Sequence, residues 1–255
     1  PLSRLRWMTA GLVLAVLGIR TGGSPGRLAE LPGHDAAPHE VIMHAAHRIP
    51  YDRAVNLAGA TVRQIGDITQ TFAWELEAAI GPQTAAVLYV AGAHLPQVAL
   101  PLEEVVRIAH AHDVPVIVDA AAQLPPVDNL WLFTTEAGAD LAVFSGGKTL
   151  RGPQASGLMV GRADLIEAAR QNGAPYQRWA RAMKVGKEEI AGLVRAVERY
   201  VHLDHAAEHA RWMAVLDRWR DTLTGIDGVD VAVDPLNEAG QPIPRLHVRI
   251  ADPRR

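Results

Sequence analysis

Ser145-Gly146-Gly147-Lys148, directly after the apolar run Leu141-Ala142-Val143-Phe144, decides how this chain is read. Lys148 lies 29 positions after Asp119, which closes a second apolar run, Val114-Pro115-Val116-Ile117-Val118. Both runs read as strands buried on two faces. A lysine on a glycine-rich turn thus stands beyond one strand, and a carboxylate ends another. Pyridoxal phosphate chemistry requires this pair. The amine forms a Schiff base with the cofactor aldehyde, and the carboxylate keeps the pyridine nitrogen protonated so that the ring acts as an electron sink. The same spacing fits a plainer arrangement, in which Asp119 caps the next turn and Lys148 is a solvated loop charge.

Working outward, strands and helices alternate. Glu40 to Met43, Ala60 to Ile65, Ala85 to Val90 and Gly157 to Val160 read as further strands. Helices are expected over Tyr51 to Leu57, Phe72 to Ile80 with Thr71 as N-cap, and Leu102 to His112 with Pro101 at the first position. Two more follow over Arg162 to Gln171 and Lys187 to Tyr200. This alternation implies an α/β fold, a mostly parallel sheet with helices on both faces. Ligands then bind beyond the carboxyl ends of the strands, where Asp119, Ser145 and the loop holding His94 all fall. From Val201 the texture changes: a long helix from Asp204 to Leu223, a turn at Thr224-Gly225-Ile226-Asp227-Gly228, and strands at Val229 to Val233 and Arg245 to Ile250. Residues 1–200 are therefore expected to form the large domain and 201–255 the start of a small α+β domain.

The chain has 255 residues, 49% hydrophobic, with a net charge of −3. That balance does not suggest a broad nucleic-acid surface. With no cysteine, disulfides, thiolate metal sites and a cysteine nucleophile are excluded, and a reducing cytoplasm is compatible. Arg4 and Arg6 precede the run from Gly11 to Ile19, which has the look of a signal peptide. No small-x-small cleavage site follows, and the run is short of the ~20 residues that cross a bilayer. A buried helix of the large domain is expected there.

The words Asp119-Ala120-Ala121-Ala122-Gln123-Leu124-Pro125-Pro126, Gly138-Ala139-Asp140-Leu141 and Ser145-Gly146-Gly147-Lys148-Thr149-Leu150-Arg151-Gly152-Pro153-Gln154-Ala155-Ser156-Gly157 resemble fold-type I pyridoxal-phosphate enzymes. More narrowly, they resemble the branch shared by selenocysteine synthase (L-seryl-tRNA selenium transferase) and D-glucosaminate-6-phosphate ammonia-lyase. Met183-Lys184-Val185-Gly186-Lys187-Glu188-Glu189 resembles the ammonia-lyase side. The resemblance runs from about Gly11 to about Tyr200. It implies that Lys148 binds the cofactor, Asp119 partners the pyridine nitrogen, Gln123 lies near the phenolic oxygen and Ser145 meets the phosphate. It further implies that Gly152 belongs to a loop reaching a neighbouring subunit's phosphate, that His47 stacks on the ring, and that His94 lies on another site loop. Ser145 and Gln123 could instead bond the local backbone, and His47 and His94 could be satisfied polar residues.

Arg178, Arg181, Lys184 and Lys187 form a basic cluster. It is either a solvated loop or an anion site for a substrate carboxylate or phosphate, with Arg181 and Lys184 as the candidate substrate contacts. No metal site is expected: His202, His205 and His209 read as a polar helix face, and His110-Ala111-His112-Asp113 as a helix-end dipole contact. The family's small-residue phosphate turn corresponds to Arg6-Trp7-Met8-Thr9-Ala10-Gly11, where Trp7 and Met8 replace expected glycine and alanine. The resemblance also implies more chain before this point and a longer carboxyl-terminal domain, so the chain reads as truncated at both ends, or its start as misread. The resemblance implies a lyase releasing ammonia from a hydroxy-amino acid or a phosphorylated amino-sugar acid, working as a homodimer or larger homo-oligomer without a membrane partner. Two alternatives stay open: a selenium transferase, which requires a tRNA partner, and a non-catalytic fragment.

Overall fold

The computed structural model describes residues 3–5, 8–31, 38–92 and 97–251, with side chains described from residue 9 onward. Among the described residues, nine strands form two sheets: β1 (Ser3–Leu5), β2 (Glu40–His44), β3 (Thr61–Ile65), β4 (Thr84–Val90), β5 (Val116–Asp119), β6 (Leu141–Ser145), β7 (Gly157–Gly161), β8 (Val229–Asp234) and β9 (Arg245–Ile250). The first seven make one sheet in the order β1-β7-β6-β5-β4-β2-β3. Strands β2 to β6 run parallel, and β7 opposes both its neighbours. The expected mostly parallel sheet is present. The last two strands pair antiparallel as a separate hairpin, in register from Val229↔Ile250 to Asp234↔Arg245.

Both faces of the sheet are covered, and its strands show why their apolar runs are continuous. Along β6, Ala142 and Phe144 enter one core while Leu141 and Val143 enter the other. Along β5, Val116 and Val118 face the first core and Ile117 the second. Period-two alternation therefore feeds two apolar layers and leaves no polar face. Helices α4 (Ala73–Ala79), α5 (Leu102–His110) and α8 (Lys187–Val201) supply Leu76, Val105 and Leu193 to the first layer. Helices α1 (Met8–Thr21), α3 (Arg53–Leu57) and α7 (Ala163–Asn172) supply Leu12 to Leu17, Val55 and Ile166 to the second, while α2 (Pro25–Glu30) and α6 (Asn129–Trp131) are short connecting helices.

The run that resembled a leader is the centre of α1. Leu12, Val13, Leu14, Ala15, Val16 and Leu17 are all buried, as expected of a helix apolar on every side. Gly18 lets α7 close in, since a Cβ there would lie 2.7 Å from the Ala169 nitrogen. No helix among the described residues is long and apolar enough to cross a membrane.

Several local expectations are corrected. Thr71 is not the cap of α4; Phe72 holds that position. The Glu75 carboxylate accepts the Phe72 N–H at 2.8 Å, and the Phe72 carbonyl accepts the Glu75 N–H at 3.0 Å. The Thr71 hydroxyl is buried against Gly66 instead, without a hydrogen-bond partner among the described residues. Pro101 is the N-cap of α5 rather than its first residue, and that helix ends at His110, two residues earlier than expected. Its last residue does more than meet a dipole. His110 Nε2 lies 2.8 Å from the buried Asp140 carboxylate, which also accepts the Val116 N–H at 2.7 Å and Arg162 Nη1 at 2.9 Å. That carboxylate ties α5, β5, β6 and the start of α7 together at the edge opposite the strand ends bearing Asp119 and Ser145. His202 caps the end of α8, whereas His205 opens α9 (His205–Leu223), with Asp204 as its N-cap. His202, His205 and His209 therefore share no single helix face. No group of three metal-capable side chains occurs among the described residues.

Candidate active site

Strands β5 and β6 are adjacent, with Asp119 paired to Val143. Their carboxyl ends bring Asp119 and the turn bearing Lys148 to one edge of the sheet. Asp119 is 4% exposed. Its Oδ1 accepts the Ala121 N–H at 3.1 Å, so the plainer capping role is real but occupies one oxygen only. Burial pushes this carboxyl up to about 6, while the Ala121 N–H and the Lys148 ammonium pull the other way. At neutral pH it is anionic, a costly state in an apolar layer that a protonated ring nitrogen would offset.

Lys148 is exposed, and its amine makes no ion pair or hydrogen bond among the described residues. Its turn is held by close backbone approach. A Cβ on Gly146 would lie 2.1 Å from the Ser156 hydroxyl, and one on Gly147 would lie 2.7 Å from the Gln154 Cα. Only glycine fits at either place. The Gly146 N–H donates to the Ser156 carbonyl at 3.0 Å, and the Gly152 N–H to the Gly146 carbonyl at 2.8 Å. Gln154 Nε2 donates to the Gly147 carbonyl at 3.0 Å. Leu193 and Ala196 of α8 press on this turn from outside. Gln154, Ser156 and that helix face are site-building residues that reading the sequence missed. The small residues Gly192 and Ala196 were the available signal.

The remaining candidates are placed unevenly. Gln123 Nε2 donates to the Ala91 carbonyl at 2.8 Å, bracing the ends of β4 and β5. Ser145 is half-buried, and its hydroxyl makes no hydrogen bond among the described residues. Gly152 closes the lysine turn. His47 is fully buried, accepts the Val90 N–H at its Nδ1 (3.2 Å), and lies 4.5 Å from the Tyr89 ring, nearly perpendicular to it. His44, which the sequence did not single out, tilts against it at 4.7 Å; burial holds its imidazole near 4, hence neutral. Arg181 and Lys184 are exposed on the segment leading to α8, and Arg181 donates to the Pro175 carbonyl. His94, Arg6 and Trp7 lie outside the described residues, so only Met8 to Gly11 of the expected phosphate turn is described, as the first residues of α1.

The donor set fits pyridoxal phosphate. A buried carboxylate and an exposed amine that feel each other's charge share one strand edge, and a half-buried hydroxyl lies three residues before that amine. Residues 40–225 match the family model for L-seryl-tRNA selenium transferase. The chain belongs to the L-seryl-tRNA selenium transferase family. This selenium transferase family member is 34% identical over 249 residues to D-glucosaminate-6-phosphate ammonia lyase of Salmonella typhimurium (strain 14028s / SGSC 2262), covering 95% of the chain and 63% of that protein. It is 35% identical over 227 residues to 5'-C-glycyluridine monooxygenase-decarboxylase of a Streptomyces species, covering 85% and 55%. It is 29% identical over 236 residues to L-seryl-tRNA(Sec) selenium transferase of Alkaliphilus metalliredigens (strain QYMF), covering 84% and 45%. The solved structure of a D-glucosaminate-6-phosphate ammonia-lyase matches with a TM-score of 0.79 at 33% identity, over 96% of this chain and 64% of that one. The chain thus spans about half to two thirds of the length of the relatives it matches.

The Asp119 environment carries a pH signature. Its folded value, about 6, lies above the ordinary 3.8, so the folded state holds the proton more tightly than the unfolded one. The stability this contributes is present below pH ~4 and is lost as pH rises through about 6, up to about 3 kcal/mol. In denaturant titrations of the cofactor-free protein, the difference between wild type and Asp119→Asn should therefore change across pH 4 to 7. A constant difference would show that the carboxyl is not desolvated as described.

Proposed function

We propose that this chain is the pyridoxal-phosphate domain of a lyase that releases ammonia from a hydroxy-amino acid or a phosphorylated amino-sugar acid. The observation that carries the reading is the buried Asp119 carboxylate at the strand edge whose next turn bears the Lys148 amine, close enough for the lysine charge to act on it. The similarity to the Salmonella ammonia lyase over almost the whole chain supports the substrate class. When bound, the cofactor supplies an aldehyde for the substrate amine and a ring that takes up negative charge. Lys148 Nζ holds the cofactor and then moves the proton at the substrate α-carbon. Asp119 holds the proton on the ring nitrogen. Ser145 would bind a phosphate oxygen, the loop of Gly152 would reach a neighbouring subunit's phosphate, and Gln123 would lie near the phenolic oxygen. Arg181 and Lys184 attract the substrate's anionic group. Residues 1–200 serve as the cofactor domain and 201–255 as the start of a second. A selenium transferase reading stands second, since the acidic balance of the chain does not favour tRNA.

The test uses the fact that the chain has three lysines, Lys148, Lys184 and Lys187. Borohydride reduction after adding pyridoxal phosphate, followed by peptide mapping, should place the pyridoxyl group on Lys148. Label on either of the others would sink the assignment. Ammonia release is then assayed with hydroxy-amino acids and with phosphorylated amino-sugar acids.

The protein is also inferred to act as a homodimer or larger homo-oligomer in the cytoplasm. The resemblance of the Arg151-Gly152-Pro153-Gln154 loop to one that completes a neighbour's phosphate site supports this, as do exposed Ile68 (81%) and Trp74 (66%). Sedimentation should show at least a dimer. A monomer that binds cofactor tightly would contradict it.

A further inference from the structure

We propose that Arg151 is a positioning residue for Lys148, locked in place by Glu208 of helix α9. The proposal rests on the reading of Lys148 as the reactive amine and deepens it. Three observations converge on Arg151. Its backbone is left-handed, with φ of 55°, a conformation that a long side chain rarely adopts and that persists where the surroundings dictate it. Its N–H donates to the Lys148 carbonyl at 2.8 Å, closing the turn that presents the amine. Its guanidinium Nη2 donates to Glu208 Oε1 at 2.5 Å.

Glu208 is 6% exposed and belongs to a helix beyond the sheet that carries the lysine. Arg211, one turn along α9, donates to its other oxygen. Thr149 and Pro125, from the loops after β6 and β5, line a small cleft around the pair together with Tyr200 and Trp212 of α8 and α9. Arg211 already fixes one oxygen of this carboxylate, so the other is held ready for Arg151, and removing Arg151 leaves that oxygen without its guanidinium. The seat of α9 is thereby linked to the three-residue distance between Arg151 and Lys148. A shift of that helix changes how the amine is presented.

The experiment is trace acetylation of the full chain with acetic anhydride across pH, without added cofactor, reading Lys148 against Lys184 and Lys187 as internal references after peptide mapping. Arg151→Met and Glu208→Gln should each change the relative reactivity of Lys148 by about threefold or more, in the same direction. Arg151→Lys, which keeps the charge, should restore it. Circular dichroism confirms that each variant is folded, and the near-isosteric Glu208→Gln guards against collapse of the Arg151 variants. Unchanged Lys148 reactivity in folded Arg151→Met and Glu208→Gln overturns the proposal. The assay decides this whether or not pyridoxal phosphate labels Lys148 in wild type. A missing pyridoxyl group with a shifted acetylation profile would fault the cofactor reading alone.

Discussion

Lys148→Ala is expected to abolish the near-visible absorbance that pyridoxal phosphate gives with this protein, and to cut ammonia release by about 10²- to 10⁴-fold. The other two lysines, Lys184 on the exposed approach to α8 and Lys187 at its first position, cannot replace an amine held on the glycine-tight turn that follows β6. The expected loss is large because one atom performs two tasks, holding the cofactor and moving the α-proton. Contacts from Ser145 and Asp119 do not depend on the amine, so weak non-covalent binding should survive. A cofactor titration followed by absorbance, with ammonia assayed in parallel, separates the two. Retention of the band in Lys148→Ala would place the chemistry elsewhere.

Asp119→Ala should give the opposite split. Imine formation needs the amine and the aldehyde, so the absorbance band should remain. Turnover should fall by about 10²- to 10³-fold, the scale on which removing a preorganised charge partner is felt. The physical cause is the burial that pushes Asp119 up to about 6. A carboxylate in so apolar a place gains most from a positive neighbour, and its loss leaves the ring nitrogen with no anion to keep it protonated. Loss of the band together with turnover would mean that Asp119 only shapes the pocket.

The strand ends were legible in the sequence because their signal is local. Val116-Ile117-Val118 and Leu141-Ala142-Val143-Phe144 are apolar on both parities, which only a sheet covered on two faces requires. The polar residues that end them, Asp119 and Ser145, were for the same reason conspicuous. The helix caps were less legible. Thr71 has better capping chemistry than Phe72, yet its hydroxyl is enclosed by the left-handed Gly66, a contact that cannot be read from residues 66 and 71 alone. Long-range partners were invisible. Asp140 stood out only as part of a family word, and its contacts with His110 and Arg162 span separations of 30 and 22 residues. The Arg151 to Glu208 pair spans 57. Pairings of that kind depend on the crossing of elements, which periodicity does not encode.

The reversal of β7 bears on how substrates could be accommodated. Because β7 returns beside β6, with Ser145 opposite Gly157, the segment bearing the amine is pinned at both ends about 5 Å apart on one sheet edge. Its ends cannot travel, so the reach of the amine is set by the lysine's own four-carbon arm and by the Arg151 contact inside the turn. Variation in substrate size must then be absorbed by the facing walls, such as the stretch running into α8. Engineering a new specificity is best begun there, with residues 146 to 156 left untouched.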